Sequence, residues 1–262
     1  MRTRIFCAHA GGQGKTTTAQ VIATALKKRG EDINLAAADF IDEEGGSKLG
    51  RLFPGEVEEL GTGPDVSLAK QVNDLNANIK YWDCLGPLLL KGNYLLDMGA
   101  NVIDQVLHWG EVRRAPDLLQ SRSAPPIDAF LVCKAEQRAV DDMTDLVKRF
   151  GSGKSLPVDR IFIVLNEQIG NFDALNIRSK IAEAIDSKSE TSVEFLTLPA
   201  CSSELWVPME QTYTSILAAQ AMEEDQIQEV LGVDFWGVHS GKDDLASWII
   251  DVDANIKASG VL

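Results

Sequence analysis

Residues Gly11-Gly12-Gln13-Gly14-Lys15-Thr16-Thr17-Thr18 directly follow the short apolar stretch Ile5-Phe6-Cys7-Ala8 and open a helix-like run. Glycines at this spacing let the backbone curl so that successive N–H groups point inward and form an anion nest. A helix beginning near Lys15 adds its positive dipole end. Lys15 would reach the terminal phosphates of a nucleotide, and the Thr16 hydroxyl would ligate Mg²⁺. Gly11, Gly12, Gln13, Gly14 and Thr17 complete the expected phosphate contact. The strict Walker pattern places a glycine five positions before Gly14, where this chain has His9.

Three further polar residues end apolar runs, where ligands collect in parallel α/β sheets. Asp97 closes Asn93-Tyr94-Leu95-Leu96-Asp97 and precedes Met98-Gly99-Ala100-Asn101, a Walker B arrangement whose carboxylate would hold Mg²⁺ opposite Thr16. Gly99 leaves room for backbone movement near a γ-phosphate. Asp39 ends Asn34–Ala38 and would orient the attacking water. Its competitor is a solvated acidic loop, because Asp42, Glu43 and Glu44 follow closely. Asn166 ends Ile161–Leu165 and can both donate to and accept from an adenine edge; simple turn chemistry explains it equally well. Leu198-Pro199 ends the last strand, where backbone groups could complete a base pocket. Lys15, Asp39 and Asp97 are thus the candidate catalytic residues.

The elements that must position these groups alternate in type. Strands are expected over Ile5–Ala8, Ile33–Ala38, Tyr94–Asp97, Ile127–Cys133, Ile161–Leu165 and Val193–Leu198. Helices are expected over Thr16–Arg29, Ser67–Ile79, Arg138–Phe150 and Ala174–Ile185. Between Asp39 and Asp65 the chain is polar and Gly-rich, and beyond about residue 200 it reads as mostly helical. Such alternation implies right-handed crossovers and an α/β fold: a mainly parallel twisted sheet with helices on both faces. The 262 residues read most simply as one domain.

Composition narrows the classes. The chain carries 25 basic and 39 acidic residues, a net charge of −14, which opposes non-specific nucleic-acid binding by the surface as a whole. A local patch is still open, with Arg113-Arg114 and the group Lys148, Arg149, Lys154, Arg160 as candidates beside an ordinary solvated face. No apolar run approaches the roughly 20 residues that span a bilayer, and the N-terminus lacks a signal-like apolar region, so a cytoplasmic protein is expected. Cys7, Cys84, Cys133 and Cys201 lie far apart and read as buried small hydrophobes. The segment Gly151-Ser152-Gly153-Lys154-Ser155 imitates a phosphate loop but follows a helix, so a helix end and turn explain it. His9, His108 and His239 have no partners at triad or metal spacing.

Taken together, the Gly-Gly-x-Gly-Lys-Thr-Thr loop, Asp39, Asp97 and Asn166 resemble the ParA/MinD superfamily of deviant-Walker ATPases, to about Pro199. Within it, Leu95-Leu96-Asp97-Met98-Gly99-Ala100-Asn101 resembles plasmid-borne StbB and TraL-type proteins. The resemblance implies a P-loop NTPase of the SIMIBI type, ATP and Mg²⁺ as cofactors, slow hydrolysis, and a nucleotide-sandwich homodimer. It also implies a partner or adaptor protein and a cargo such as a plasmid or a secretion complex. Family members usually carry a signature lysine immediately before the first glycine of the pair, reaching into the partner's site. Here that position is Ala10, so the trans contact is lost or comes from another cation such as Lys134 or Arg138. The segment Asp243–Leu262 lacks the basic amphipathic face of a MinD-like membrane anchor and reads as a solvated or partner-docking helix. Two other readings stand beside this one. A signal-recognition-type GTPase lacks its Asp-Thr-Ala-Gly-Arg and Thr-Lys-x-Asp segments here, and a non-hydrolysing scaffold is suggested by His9 and Ala10.

Overall fold

The computed structural model describes residues 1–41, 46–63, 76–100, 102–185 and 191–261. Seven strands form one sheet: β1 (Thr3–Cys7), β2 (Asn34–Ala38), β3 (Val57–Glu59), β4 (Tyr94–Met98), β5 (Ile127–Lys134), β6 (Val158–Asn166) and β7 (Ser192–Leu198). Their order is β3-β2-β4-β1-β5-β6-β7, and every neighbouring pair is parallel. The first half of the chain builds outward from β1 on one side, and the second half on the other. The reversal falls beside β1, which places the crevice of a doubly wound sheet at the end of that strand.

Side-chain alternation shows why both faces are covered. Phe6, Leu35, Ala37, Leu95, Phe130, Val132, Phe162 and Val164 belong to one apolar layer. Ile5, Cys7, Ala36, Ala38, Leu96, Met98, Leu131 and Ile163 belong to the other. The first layer is capped by α1 (Lys15–Lys28) and α2 (Lys48–Leu52). The second takes α3 (Ala77–Trp82), α4 (Leu85–Lys91), α5 (Val102–Arg113), α6 (Ala115–Ser121), α7 (Gln137–Gly151) and α8 (Ile177–Ala184). The C-terminal α9 (Trp206–Thr212), α10 (Ile216–Ala221), α11 (Glu224–Leu231) and α12 (Phe235–Ala258) return to the α1 face.

Three features differ from the sequence expectation, and one expected helix falls partly outside the described residues. The Gly-rich stretch after Asp39 contains α2 and β3, short elements whose apolar periodicity is too brief to read. The helix expected over Ser67–Ile79 lies partly outside the described residues, as do Asp42, Glu43, Glu44 and Asn101; Ile79 itself falls in α3. The final helix α12 is docked, not solvated: Val238, Leu245, Trp248, Val252 and Ile256 bury one stripe against the sheet layer. Cys84 is exposed, whereas Cys7, Cys133 and Cys201 are buried, and burial pushes the Cys7 and Cys133 thiols up to about 12. The imitation loop at 151–155 follows the end of α7, with Gly153 at φ 64° and its N–H on the Phe150 carbonyl, as a helix end requires.

Across the centre of the sheet, Phe6, Phe130 and Phe162 sit in register on β1, β5 and β6. Their rings stack at 4.5 and 4.7 Å and are fully buried. This ladder fixes the strand from which the glycine loop emerges. Phe130→Ala leaves a cavity between two stacked rings and is expected to cost about 3–5 kcal/mol, read as a lower urea midpoint with an unchanged slope.

Candidate functional site

The loop leaves β1 at Cys7 and enters α1 at Lys15, with Gly14 as the N-cap residue at φ 94° and ψ 22°. No side chain caps α1 and no acidic residue lies in its first turn, so its leading N–H groups have no built-in anionic partner. Gly14 is needed twice over. Its backbone is left-handed, and a Cβ there would collide with Asn166 Nδ2. Lys15 is 8% exposed, and its Nζ donates to the Ala10 carbonyl at 3.3 Å. The ammonium thus arches back over the loop that it would share with a phosphate.

Strand register brings Asp97 to the same place. Ala37, Asp97 and Phe6 are aligned across β2, β4 and β1, so Asp97 shares the sheet face that meets α1. The Thr16 hydroxyl donates to Asp97 Oδ2 at 2.7 Å. Asp97 Oδ1 is buried and has no hydrogen-bond partner among the described residues. A buried carboxylate with one orphaned oxygen beside a threonine hydroxyl fits a magnesium site. Among the described residues no three His, Cys, Asp or Glu side chains cluster around a cation site. Such an ion would therefore draw its remaining ligands from phosphate oxygens and water, as Mg²⁺ commonly does.

Asp39 follows β2 and sits over Gly99, where any Cβ would run into its Oδ1. The Gly99 N–H donates to the Ala38 carbonyl at 2.8 Å, which ties the end of β4 to that of β2. Asp39 Oδ1 accepts the Phe40 N–H at 2.8 Å, leaving the carboxylate half-exposed at the crevice. The negative charge of Asp39 acts on Asp97, so the two carboxylates share one electrostatic neighbourhood.

Asn166 and Pro199 are both tied into the fold. Asn166 is 9% exposed; its Nδ2 donates to the Gln13 carbonyl at 2.9 Å and its Oδ1 accepts the Gln168 N–H at 3.2 Å. Both ends of the amide are engaged within the chain, and the bond to Gln13 holds the glycine loop. The Pro199 carbonyl accepts the Trp248 indole N–H at 2.8 Å. For Asn166 burial is the reason, since polar groups this enclosed must find partners in the fold. Thr17 is half-buried and lines a small pocket with Lys48, Trp206 and Thr214.

Side-chain ties that motif reading does not give complete the cradle. Gln13 Oε1 accepts the Lys134 N–H at 3.0 Å, stitching the loop to the end of β5. Gln168 exchanges hydrogen bonds with Cys201, donating at 3.5 Å and accepting at 2.9 Å. Lys48 on α2 bears electrostatically on Asp97. The loop motif marks Gln13 but not its tie to β5, and no local pattern in the sequence marks Gln168 or Lys48, because both act across distant elements. His9 lies 3.3 Å from Asp104 and 3.9 Å from Asp145, bridging α5 and α7 beneath the loop.

The candidate cations divide into two groups. Lys134 pairs with Glu136 at 2.9 Å, while Arg138, one turn on, is exposed and makes no ion pair with a described residue. In the suggested basic patches, Arg113 pairs with Asp83, Arg149 with Asp104, and Arg160 with buried Asp128. These arginines serve the fold. Arg114, Lys148 and Lys154 remain exposed without such pairs to described residues. No described helix is long and apolar enough to cross a membrane.

The seven-stranded parallel sheet, helices on both faces and glycine loop after β1 are those of the P-loop NTPase α/β fold. Among solved structures, the chain is similar to a ParA family ATPase from Chlorobium tepidum. The identity is 16%, over 97% of this chain and 98% of that one, with a TM-score of 0.49. It is also similar to a chain of the MinC:MinD cell division protein complex of Aquifex aeolicus (14% identity, 90% and 97% covered, TM-score 0.43). A nucleotide-binding protein from Archaeoglobus fulgidus, in complex with ADP, is similar at 12% identity, over 80% and 86%, with a TM-score of 0.43. No family model and no curated protein sequence matches the chain.

Desolvation dominates at Asp97, which is 1% exposed, and raises its pKa to about 6 against the opposing pull of the Thr16 hydroxyl and the Lys15 charge. The folded chain therefore holds this proton more tightly than the unfolded chain, whose carboxyl titrates near 3.8. Stability from this group is greatest below about pH 4, falls as pH rises to about 6, and then stays lower by about 3 kcal/mol. Asp97→Asn without metal or nucleotide should match wild type near pH 4 and exceed it in urea midpoint at pH 7. A constant difference across that range would contradict the assignment.

Proposed function

We propose that the chain is an ATP-binding, slowly hydrolysing switch of the ParA/MinD type. The observation that carries the reading is the Thr16–Asp97 pair with its orphaned carboxylate oxygen, set below an uncapped helix terminus and a folded-back lysine. The N–H groups of Gly11 to Thr17 would cradle the phosphates, and Lys15 would leave the Ala10 carbonyl for their terminal oxygens. Thr16 and Asp97 would hold Mg²⁺, which when bound supplies charge neutralisation to the phosphate oxygens. Asp39, at the crevice beside Gly99, would hold the attacking water by accepting its proton in a hydrogen bond. Asn166, Gln13 and Gln168 would keep the loop in place, with the base lying nearer the chain after Pro199.

Homodimerisation on ATP, a partner or adaptor protein, and a cytoplasmic role in plasmid partition, plasmid stability or conjugative transfer are parts of this proposal. Their support is the sequence resemblance. Contact with DNA would fall to Arg114, Lys148 and Lys154, or be made through the partner. A second reading, a nucleotide-binding scaffold without turnover, is favoured by Ala10 together with the Lys134–Glu136 pair, which leaves Arg138 as the free cation of this loop among the described residues.

Two measurements test these readings. Lys15→Ala should weaken ATP binding roughly 10–100-fold in calorimetry while leaving the far-ultraviolet dichroism unchanged; intact affinity would remove the central assignment. Ala10→Lys should raise the steady-state rate of ATP hydrolysis, and an unchanged or lower rate favours the scaffold.

A further inference from the structure

A groove of about 640 Å³ lies away from the glycine loop, between α1, α10 and α12. Its size is within the range of roughly 300–1,000 Å³ usual for small-molecule sites. The walls are apolar: Val21 and Ala25 from α1, Ile216 from α10, and Trp248, Val252 and Ile256 from α12. Trp248 is held rigid by its bond to the Pro199 carbonyl and by contact with Trp206 at 5.0 Å. Thr24 also lines the groove, and its buried hydroxyl has no hydrogen-bond partner among the described residues. Ile250, beside these walls, is 69% exposed.

The mouth has the opposite character to the rest of this acidic molecule. Lys28, Arg29 and Lys257 line it, with Asp253 as the one acidic residue of the lining. Arg29 and Lys257 both approach Asp253, at 3.6 and 2.5 Å. Lys28 forms no ion pair with any described residue, so the mouth keeps an excess of positive charge. In a chain of net charge −14, such a local reversal at the end of an apolar trough is complementary to a ligand with an apolar body and one negative end.

We propose that this groove binds a single-chain amphipathic carboxylate, its tail along Val21, Ala25, Trp248 and Ile256 and its head at Lys28. The apolar walls provide the driving force by removing the tail from water, and the unpaired ammonium selects the charge of the head. The site is separate from the phosphate loop, although α1 contributes to both, and it stands whether or not the chain hydrolyses ATP.

Calorimetry with dodecanoate, dodecanol and dodecyltrimethylammonium, each below its aggregation threshold, tests the proposal on the full chain. Dodecanoate is expected to bind at one site, roughly tenfold more tightly than dodecanol, with the cationic probe weakest. Ala25→Trp, which fills the trough, should abolish dodecanoate binding. Lys28→Gln, at an exposed position that leaves the fold undisturbed, should erase the preference for dodecanoate over dodecanol and decides the matter if the tryptophan variant fails to fold. Failure of dodecanoate to bind, equal binding of all three probes, or unchanged binding by both variants would overturn it. So would binding of an acidic amphipathic peptide without any binding of dodecanoate, which would give the groove to a protein partner.

Discussion

The hydrogen bond from Thr16 to Asp97 is the contact around which this molecule is arranged. It joins the first turn of α1 to the end of β4, residues 81 positions apart, and it exists because β1 and β4 are neighbours in a parallel sheet. Parallel neighbours end on the same edge, so a loop leaving one strand and a side chain ending the other must meet there. The contact also encloses a carboxylate at an energetic cost. Desolvation is the largest influence on Asp97, and its second oxygen has no partner. An arrangement that disfavours its own charge while keeping a hydroxyl and an ammonium close is suited to a ligand that brings positive charge and oxygen atoms with it.

Around that contact, the fold ties down the loop from three sides. Gln13 is the common member: its side chain takes the Lys134 N–H at the end of β5, and its carbonyl takes the Asn166 amide at the end of β6. Gln168 then links β6 to the turn after β7 through Cys201. The ends of β5, β6 and β7, all on one side of β1, are therefore joined in one hydrogen-bonded arc. On the other flank, Gly99 permits Asp39 to lie close over β4. The anion nest is a consequence of these distant ties as much as of the glycines within it.

The C-terminal helices give the α1 face its second role. α12 buries a stripe of five apolar residues against the sheet layer and leaves a trough where its flank diverges from α1. Its Trp248 reaches across to the Pro199 carbonyl, so the last strand end is closed by the same helix that walls the groove. The two ends of α1 thus face different environments, a polar crevice at Gly14 and an apolar trough at Thr24 and Lys28. Any change in the tilt of α1 would be felt at both.

Much of this was legible in the chain. The alternation of Leu95, Leu96, Asp97 and Met98 already places Asp97 on the side of Leu95, and a strand followed by Gly-x-Gly-Lys-Thr prescribes a left-handed glycine and an uncapped helix start. Six of the seven strands announce themselves as apolar runs, because strands covered on both faces cannot be polar. Short elements such as α2 and β3 carry too few residues for a period to emerge. The partners of Asn166 and Pro199, the docking of α12, and the ion pairs that absorb Arg113, Arg149 and Arg160 were not legible either. Local chemistry is written in residue type and spacing, since it depends on neighbours along the backbone. Which amide meets which carbonyl, and which cation stays free, depends on strand order and helix placement, where residues as far apart as the 196 positions between Gln20 and Ile216 come within hydrogen-bond reach.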